Sequence, residues 1–299
     1  MVYHYTTIET LYNILASYKE AEDKEHFTFW ASNALEQNDT EELSFSFKDL
    51  YEVLLQVEKN KKENGEDLSH KKLSKAIEWG KFENKNPNEI KDEIDKLVKD
   101  REQAPYTLSF SRQKDKLLMW SIYANGGNGI CLAFNENKLT KIQAKMTCCI
   151  DNVKYNIKKN NLTNLVNQVY DAYLKSFEGD DIISLNKAFD EGTTYLRMML
   201  GLISPFIKNK AFGDEKEWRI AFYKNKETNI FTRLTGNKNI VHYVKVGLPI
   251  SALSKIIVGP CANYNNVVDL LQNEASSCGI AKMAKPEFYL KSNVPFRNF

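Results

Sequence analysis

Glu215-Lys216-Glu217-Trp218-Arg219 places two carboxylates two residues apart at the start of an expected strand. Residues two apart in a strand share a face, so the pattern predicts Glu215 and Glu217 side by side, with Trp218 turned into the core. Neighbouring carboxylates repel, and the arrangement is costly unless something uses the charge. Three uses fit: stabilising a developing cation, forming an acid–base pair with split pKa values, or holding a metal. A salt-bridge cluster with Lys216 and Arg219 explains the same residues without any chemistry.

Other residues carry weaker signals. His4 stands between Tyr3 and Tyr5 on a first strand and points away from both. It gains chemical interest only if the sheet brings it to Glu217. Ser109-Phe110-Ser111 sets two hydroxyls on one strand face. There is no G-x-S-x-G elbow, so they read as orienting donors, not nucleophiles. Asn125-Gly126-Gly127-Asn128-Gly129 has the composition of a phosphate cradle, but it leads into a strand and lacks the lysine of a P-loop. A tight turn is expected there. Asn38, Asp39 and Glu42 offer oxygen ligands for a hard cation, and turn or capping roles explain them equally. Five cysteines with no C-x-x-C pair read as reduced, structural thiols of a cytoplasmic protein.

These residues need elements to position them. The chain of 299 residues is 42% hydrophobic and 12% aromatic, enough to build a large core. Strands are expected at 3–5, 27–31, 106–111, 130–134, 217–223, 241–246 and 255–258, with two more short ones at the end. Helices are expected after the N-cap Thr7, over 117–123, and over about 264–277. Two helical blocks interrupt the strands, at about 43–103 and about 160–207. In the first, Leu50, Val53, Leu54 and Val57 form one apolar stripe, and Ile90, Ile94 and Leu97 another. The reading is a single α+β domain over 1–299, with a mixed, largely antiparallel sheet core and two helical insertions. No apolar run reaches membrane-span length, so no membrane association is expected. Residues 200–299 carry 14 Lys/Arg against 7 Asp/Glu, while the first 199 carry 27 against 32. A basic C-terminal third suits a phosphate-bearing ligand or a nucleic acid, or a solvated lysine-rich surface.

The stretches YHYTTIETLYNIL, FWASNALEQNDTEE, LSFS, LLMWSIYANGGNGICLAF, GDEKEWRIAFY, IIVGP and KSNVPFR, in that order, resemble the bacterial domain-of-unknown-function 2971 family. Thr40 stands where the family pattern has proline. A further likeness is to the three-part signature of ADP-ribosyltransferases: His4 on the first strand, Ser109 and Ser111, and Glu215 with Glu217. That likeness implies NAD as substrate and no metal, with Glu217 steadying an oxocarbenium-like transition state as nicotinamide leaves. Glu215 would activate the acceptor, a protein or nucleic acid. His4 would contact the NAD ribose, and Ser109, Ser111, Tyr123 and Arg219 would shape the NAD site, Tyr123 by stacking on nicotinamide. It requires His4, Ser109 and Glu217 to line one cleft. Two alternatives stand beside it, a non-catalytic nucleic-acid or protein-binding module of a phage-defence or mobile-element system, and a metal-dependent phosphoesterase using Asp39, Glu42, Glu215 and Glu217.

Overall fold

The computed structural model describes residues 1–36, 45–68, 72–74, 104–144, 146–155, 159–175, 204–234 and 240–296. Asn38, Asp39, Thr40 and Glu42 lie outside them, as do Ile90, Ile94 and Leu97. The chain forms two compact units, one of 1–32, 106–153 and 211–299, the other of 33–105 and 154–210.

The first unit holds a ten-stranded sheet. Its strands are β1 (Val2–Thr6), β2 (His26–Asn33), β3 (Tyr106–Ser111), β4 (Ile130–Phe134), β5 (Cys148–Asn152), β8 (Glu217–Phe222), β9 (Phe231–Leu234), β10 (Ile240–Pro249), β11 (Leu253–Val258) and β12 (Tyr289–Lys291). They run in the order β12-β11-β4-β1-β3-β2-β10-β9, and β8 with β5 branches from β3. The β11–β12 pair is parallel, whereas β1–β3, β1–β4, β3–β8, β5–β8, β2–β10, β9–β10 and β4–β11 are antiparallel. The architecture is α+β on a mixed, mostly antiparallel sheet.

Period-two alternation sorts the strand residues onto two faces. Val2, Phe29, Leu108, Phe110, Leu132, Phe134, Trp218, Ile220, Val244 and Val246 belong to the main core. Helices α1 (Ile8–Glu20) and α6 (Tyr264–Ser277) cover that face with Leu11, Ile14, Leu15, Val267, Val268 and Leu271. Each helix is capped as its sequence dictates. Thr7 Oγ1 accepts from the Thr10 amide at 3.1 Å, and Asn263 Oδ1 from the Asn266 amide at 3.2 Å. The opposite face carries a smaller cluster in which Tyr5, Cys131 and Ile257 meet Met119 and Trp120 of α3 (Leu117–Tyr123). The Tyr5 and Trp120 rings cross edge to face at 4.9 Å.

The Asn125–Gly129 segment is a packed turn. A Cβ on Gly129 would lie 2.3 Å from the Thr6 carbonyl oxygen, and one on Gly259 would lie 2.3 Å from that of Gly127. The Gly259 amide donates to Gly129 O and the Cys261 amide to Gly127 O, so the loop's carbonyls join β4 to β11. Beyond α6 the described residues contain one strand, β12, where two were expected. Asp115 accepts from Ser292 Oγ and from the Asn293 amide at 2.8 Å, which pins the following segment outside any ladder. Strands β5 and β9 were not anticipated. Both are short: β9 is mostly exposed, and β5 is only partly buried, with Cys148 and Ile150 against the main core and too few residues for a clear alternation.

In the second unit, β6 (Lys154–Tyr155) pairs with β7 (Ile207–Lys208). Helices α2 (Phe45–Glu63) and α5 (Lys159–Lys175) bury Val53, Leu54 and Val57, and Val166, Tyr170 and Tyr173, on their facing stripes. The remaining helix, α4 (Glu136–Leu139), belongs to the first unit. Among the described residues no helix is long and apolar enough to cross a membrane.

Candidate functional site

The register of three strands builds the site. Tyr3 of β1 lies opposite Ser111 of β3, and Ser111 lies opposite Glu217 of β8. Directly paired residues in antiparallel strands share a face, so Tyr3, Ser111 and Glu217 form one rung on the face that α3 covers. Ser109 and Arg219 are paired two residues further along the same face. Segments more than a hundred residues apart in sequence are thus brought into direct register.

Glu217 and Arg219 are both buried, and their side chains meet twice along the strand. Arg219 Nε donates to Glu217 Oε1 at 2.6 Å and Nη2 to Oε2 at 3.0 Å. A buried carboxylate is tolerated only when paired, and this bidentate partner keeps Glu217 oriented and ionised. Here the sequence expectation needs correction in one respect: the pair is interior, not a surface salt bridge.

Glu215 does not stand beside Glu217 within a strand. It ends a 3-10 turn over Lys210–Glu215, and β8 begins only at Glu217. Between them Lys216 has φ of 46°, in the left-handed region that costs an ordinary residue about 1–2 kcal/mol. The end of β3 holds that turn in place. Ser111 Oγ donates to Glu215 O at 2.6 Å, the Arg112 amide to Lys216 O at 2.8 Å, and Gln113 Nε2 to Asp214 O at 2.6 Å. The Glu215 carboxylate reaches α3, where Tyr123 Oη donates to Oε1 at 2.6 Å. Burial first, then the Glu215 hydrogen bond and the charges of both glutamates, push the Tyr123 phenol well above its ordinary pKa, so it stays a donor.

Ser111 is fully buried, donating to Glu215 O while accepting from the Gln113 amide at 3.0 Å. It positions the turn and offers nothing to a ligand. Ser109 and Tyr3 differ: both are half-buried on the same face, and among the described residues neither hydroxyl has a hydrogen-bond partner. The Tyr3 phenol is raised in pKa by burial, then by Cys131, and remains protonated.

His4 lies on the other face. Its ring packs against Phe29 at 5.7 Å and Phe110 at 5.5 Å in the main core, and Nδ1 donates to the Ser109 carbonyl at 2.9 Å. A carbonyl only accepts, so Nδ1 carries the proton. Burial lowers the imidazole pKa, keeping the ring neutral. The bond closes the gap where β1 and β3 diverge beyond the Tyr3–Ser111 rung. His4, Ser109 and Glu217 therefore do not line one cleft. Strand alternation explains this, since on β1 it is Tyr3 that shares a face with the glutamates. That signal was in the sequence, because His4 was already expected to point away from both tyrosines. The left-handed Lys216 had no signal, because a lysine in that conformation is set by its surroundings.

Among the described residues no group of three or more His, Cys, Asp or Glu side chains is placed to hold a metal ion. The sequence matches the family model described as Protein of unknown function (DUF2971) over residues 119–220. The resemblance to that family read from the motifs holds there, and the matched stretch contains Tyr123, Glu215, Glu217 and Arg219. No curated protein and no solved structure matches the chain.

Proposed function

We propose that the α3-covered face is the active surface of a transferase that cleaves the nicotinamide–ribose bond of NAD and passes ADP-ribose to an acceptor. The observation that supports this reading most is the Ser111–Glu217 rung. It sets Ser111 of the serine-x-serine segment directly opposite Glu217 on the adjacent strand and on the same face, which brings together one residue from each of two segments that the likeness names. The family match carries no activity with it, and the requirement that His4, Ser109 and Glu217 line one cleft is not met, because His4 faces the core; the reading therefore rests on the serine and glutamate segments alone, with Tyr3 as the β1 residue on their face.

In this reading Glu217 is the catalytic residue. Its carboxylate, fixed by Arg219, stabilises the positive charge that develops at the ribose as nicotinamide departs. Glu215, oriented by Tyr123 and by the turn anchored on Ser111, draws a proton from the acceptor. The open hydroxyls of Tyr3 and Ser109 are the groups available to bind the ribose. His4 stitches β1 to β3 and takes no part in the reaction.

The test is incubation of the purified protein with NAD labelled in its adenylate and a cell extract as acceptor source. Label transfer and nicotinamide release are expected from the wild type, and both should fall by at least about a hundred-fold in Glu217→Gln. Equal label transfer by the two proteins would overturn the assignment of Glu217.

A further inference from the structure

A second cluster stands on strands β2, β10 and β9, which follow β3 in the sheet order. Strands β2, β10 and β9 pair with Lys245 opposite Trp30, Tyr243 opposite Ser32, and Phe231 opposite Tyr243. Phe27, Phe29, Val244, Val246 and Leu248 point into the main core, so Trp30, Tyr243, Lys245, Phe231 and Arg233 stand on the opposite face. There the rings stack. Trp30 lies 4.5 Å from Tyr243 and Tyr243 lies 5.5 Å from Phe231, with interplanar angles of 26° in both pairs. Several ring pairs of the core cross edge to face instead, among them Phe110–Trp218 and Phe29–Phe134.

The stack is open at one end and positively charged at its sides. Trp30 is 47% exposed, although it is the largest side chain on these strands. Lys245 Nζ sits 4.6 Å from the Phe231 ring centroid, and Arg233 Nη2 donates to Ser32 Oγ at 3.1 Å. Among the described residues neither cation pairs with a carboxylate, and the segments 26–33, 231–234 and 240–249 contain no Asp or Glu. An exposed indole face selects a planar π surface, and two unneutralised cations beside it select an anion. A protein partner supplies flat rings and regularly spaced negative charge together only rarely. A nucleic acid strand with unpaired bases supplies both in every residue, and a sheet face bearing aromatic rings and basic side chains is a suitable platform for it.

We propose that the β2–β10–β9 face binds single-stranded nucleic acid, with a base stacked on Trp30 and adjacent phosphates on Lys245 and Arg233. The site uses none of the residues of the glutamate rung, and the proposal stands whether or not Glu217 is catalytic.

The test is fluorescence anisotropy of the full-length protein with labelled oligo(U) RNA, oligo(dT) DNA and a duplex of the same length, over a salt series. At least one single strand should bind more tightly than the duplex, and the preferred strand identifies RNA or DNA as the ligand. Trp30→Ala should weaken that binding roughly ten-fold, and Trp30→Phe should recover most of it. Lys245→Gln should reduce the slope of log affinity against log salt by about 0.7, as expected when the protein neutralises one phosphate fewer on a single strand. Circular dichroism melts of the variants report whether the fold is intact. Duplex bound as tightly as both single strands, or wild-type affinity in a folded Trp30→Ala protein, would overturn the proposal, as would failure of both single strands to bind at low salt.

Discussion

At the scale of single residues, the two candidates singled out by charge and type have opposite fates. Glu217 keeps a charge in the interior because Arg219 meets it with two hydrogen bonds, so Glu217→Gln retains an acceptor for the guanidinium while removing the charge. His4 is held neutral among aromatic rings, and its protonation is linked to folding. Its pKa in the folded protein is lowered by burial from the ordinary value of 6.5, so between those two values the unfolded chain binds a proton that the folded chain does not. The stability that neutral His4 contributes is complete above pH 6.5 and is lost as pH falls toward the folded-state pKa. His4→Asn, which keeps a donor near the Nδ1 position, should therefore show a shallower fall in melting temperature than wild type on acidification below pH 6.5. Parallel pH profiles for the two proteins would mean that His4 titrates alike in both states.

At the scale of elements, the turn that delivers Glu215 is the least regular part of the site. The left-handed Lys216 separates two glutamates that a continuous strand would have set side by side, and three hydrogen bonds from the end of β3 hold the turn. Backbone strain of this kind persists where the surroundings over-determine it, often beside functional groups. Lys216→Gly should raise stability by up to about 1 kcal/mol, and Lys216→Val should lower it by about 1–2 kcal/mol, because a β-branched residue is poorly accommodated at positive φ. Urea unfolding of the two variants measures both, and a valine variant as stable as wild type would show that the turn relaxes freely. The regular elements around it were legible beforehand. The boundaries of β3, β4, α3 and α6 agree with the strands and helices expected from the sequence pattern. The turn was not legible, since nothing local in Asp-Glu-Lys-Glu announces a left-handed lysine.

At the scale of the whole molecule, the sheet does what no local pattern states: it sets Ser111 against Glu217 and turns His4 away from both. Charge spacing found the glutamates and serines, but which of them share a face depends on the pairing of β1, β3 and β8, a long-range property. The aromatic stack on β2, β10 and β9 was invisible for the same reason, because Trp30, Phe231 and Tyr243 come from three separate segments. The central claim is that chemistry resides on the face of Glu217 and not on that of His4. It is tested most directly by the rate of nicotinamide release from NAD, with water as acceptor, in wild type, Glu217→Gln and His4→Asn proteins whose folding has been verified. The predicted result is release by wild type, a loss of at least about a hundred-fold in Glu217→Gln, and a rate within about three-fold of wild type in His4→Asn. Release by Glu217→Gln at the wild-type rate, or its abolition in a folded His4→Asn protein, would contradict the account.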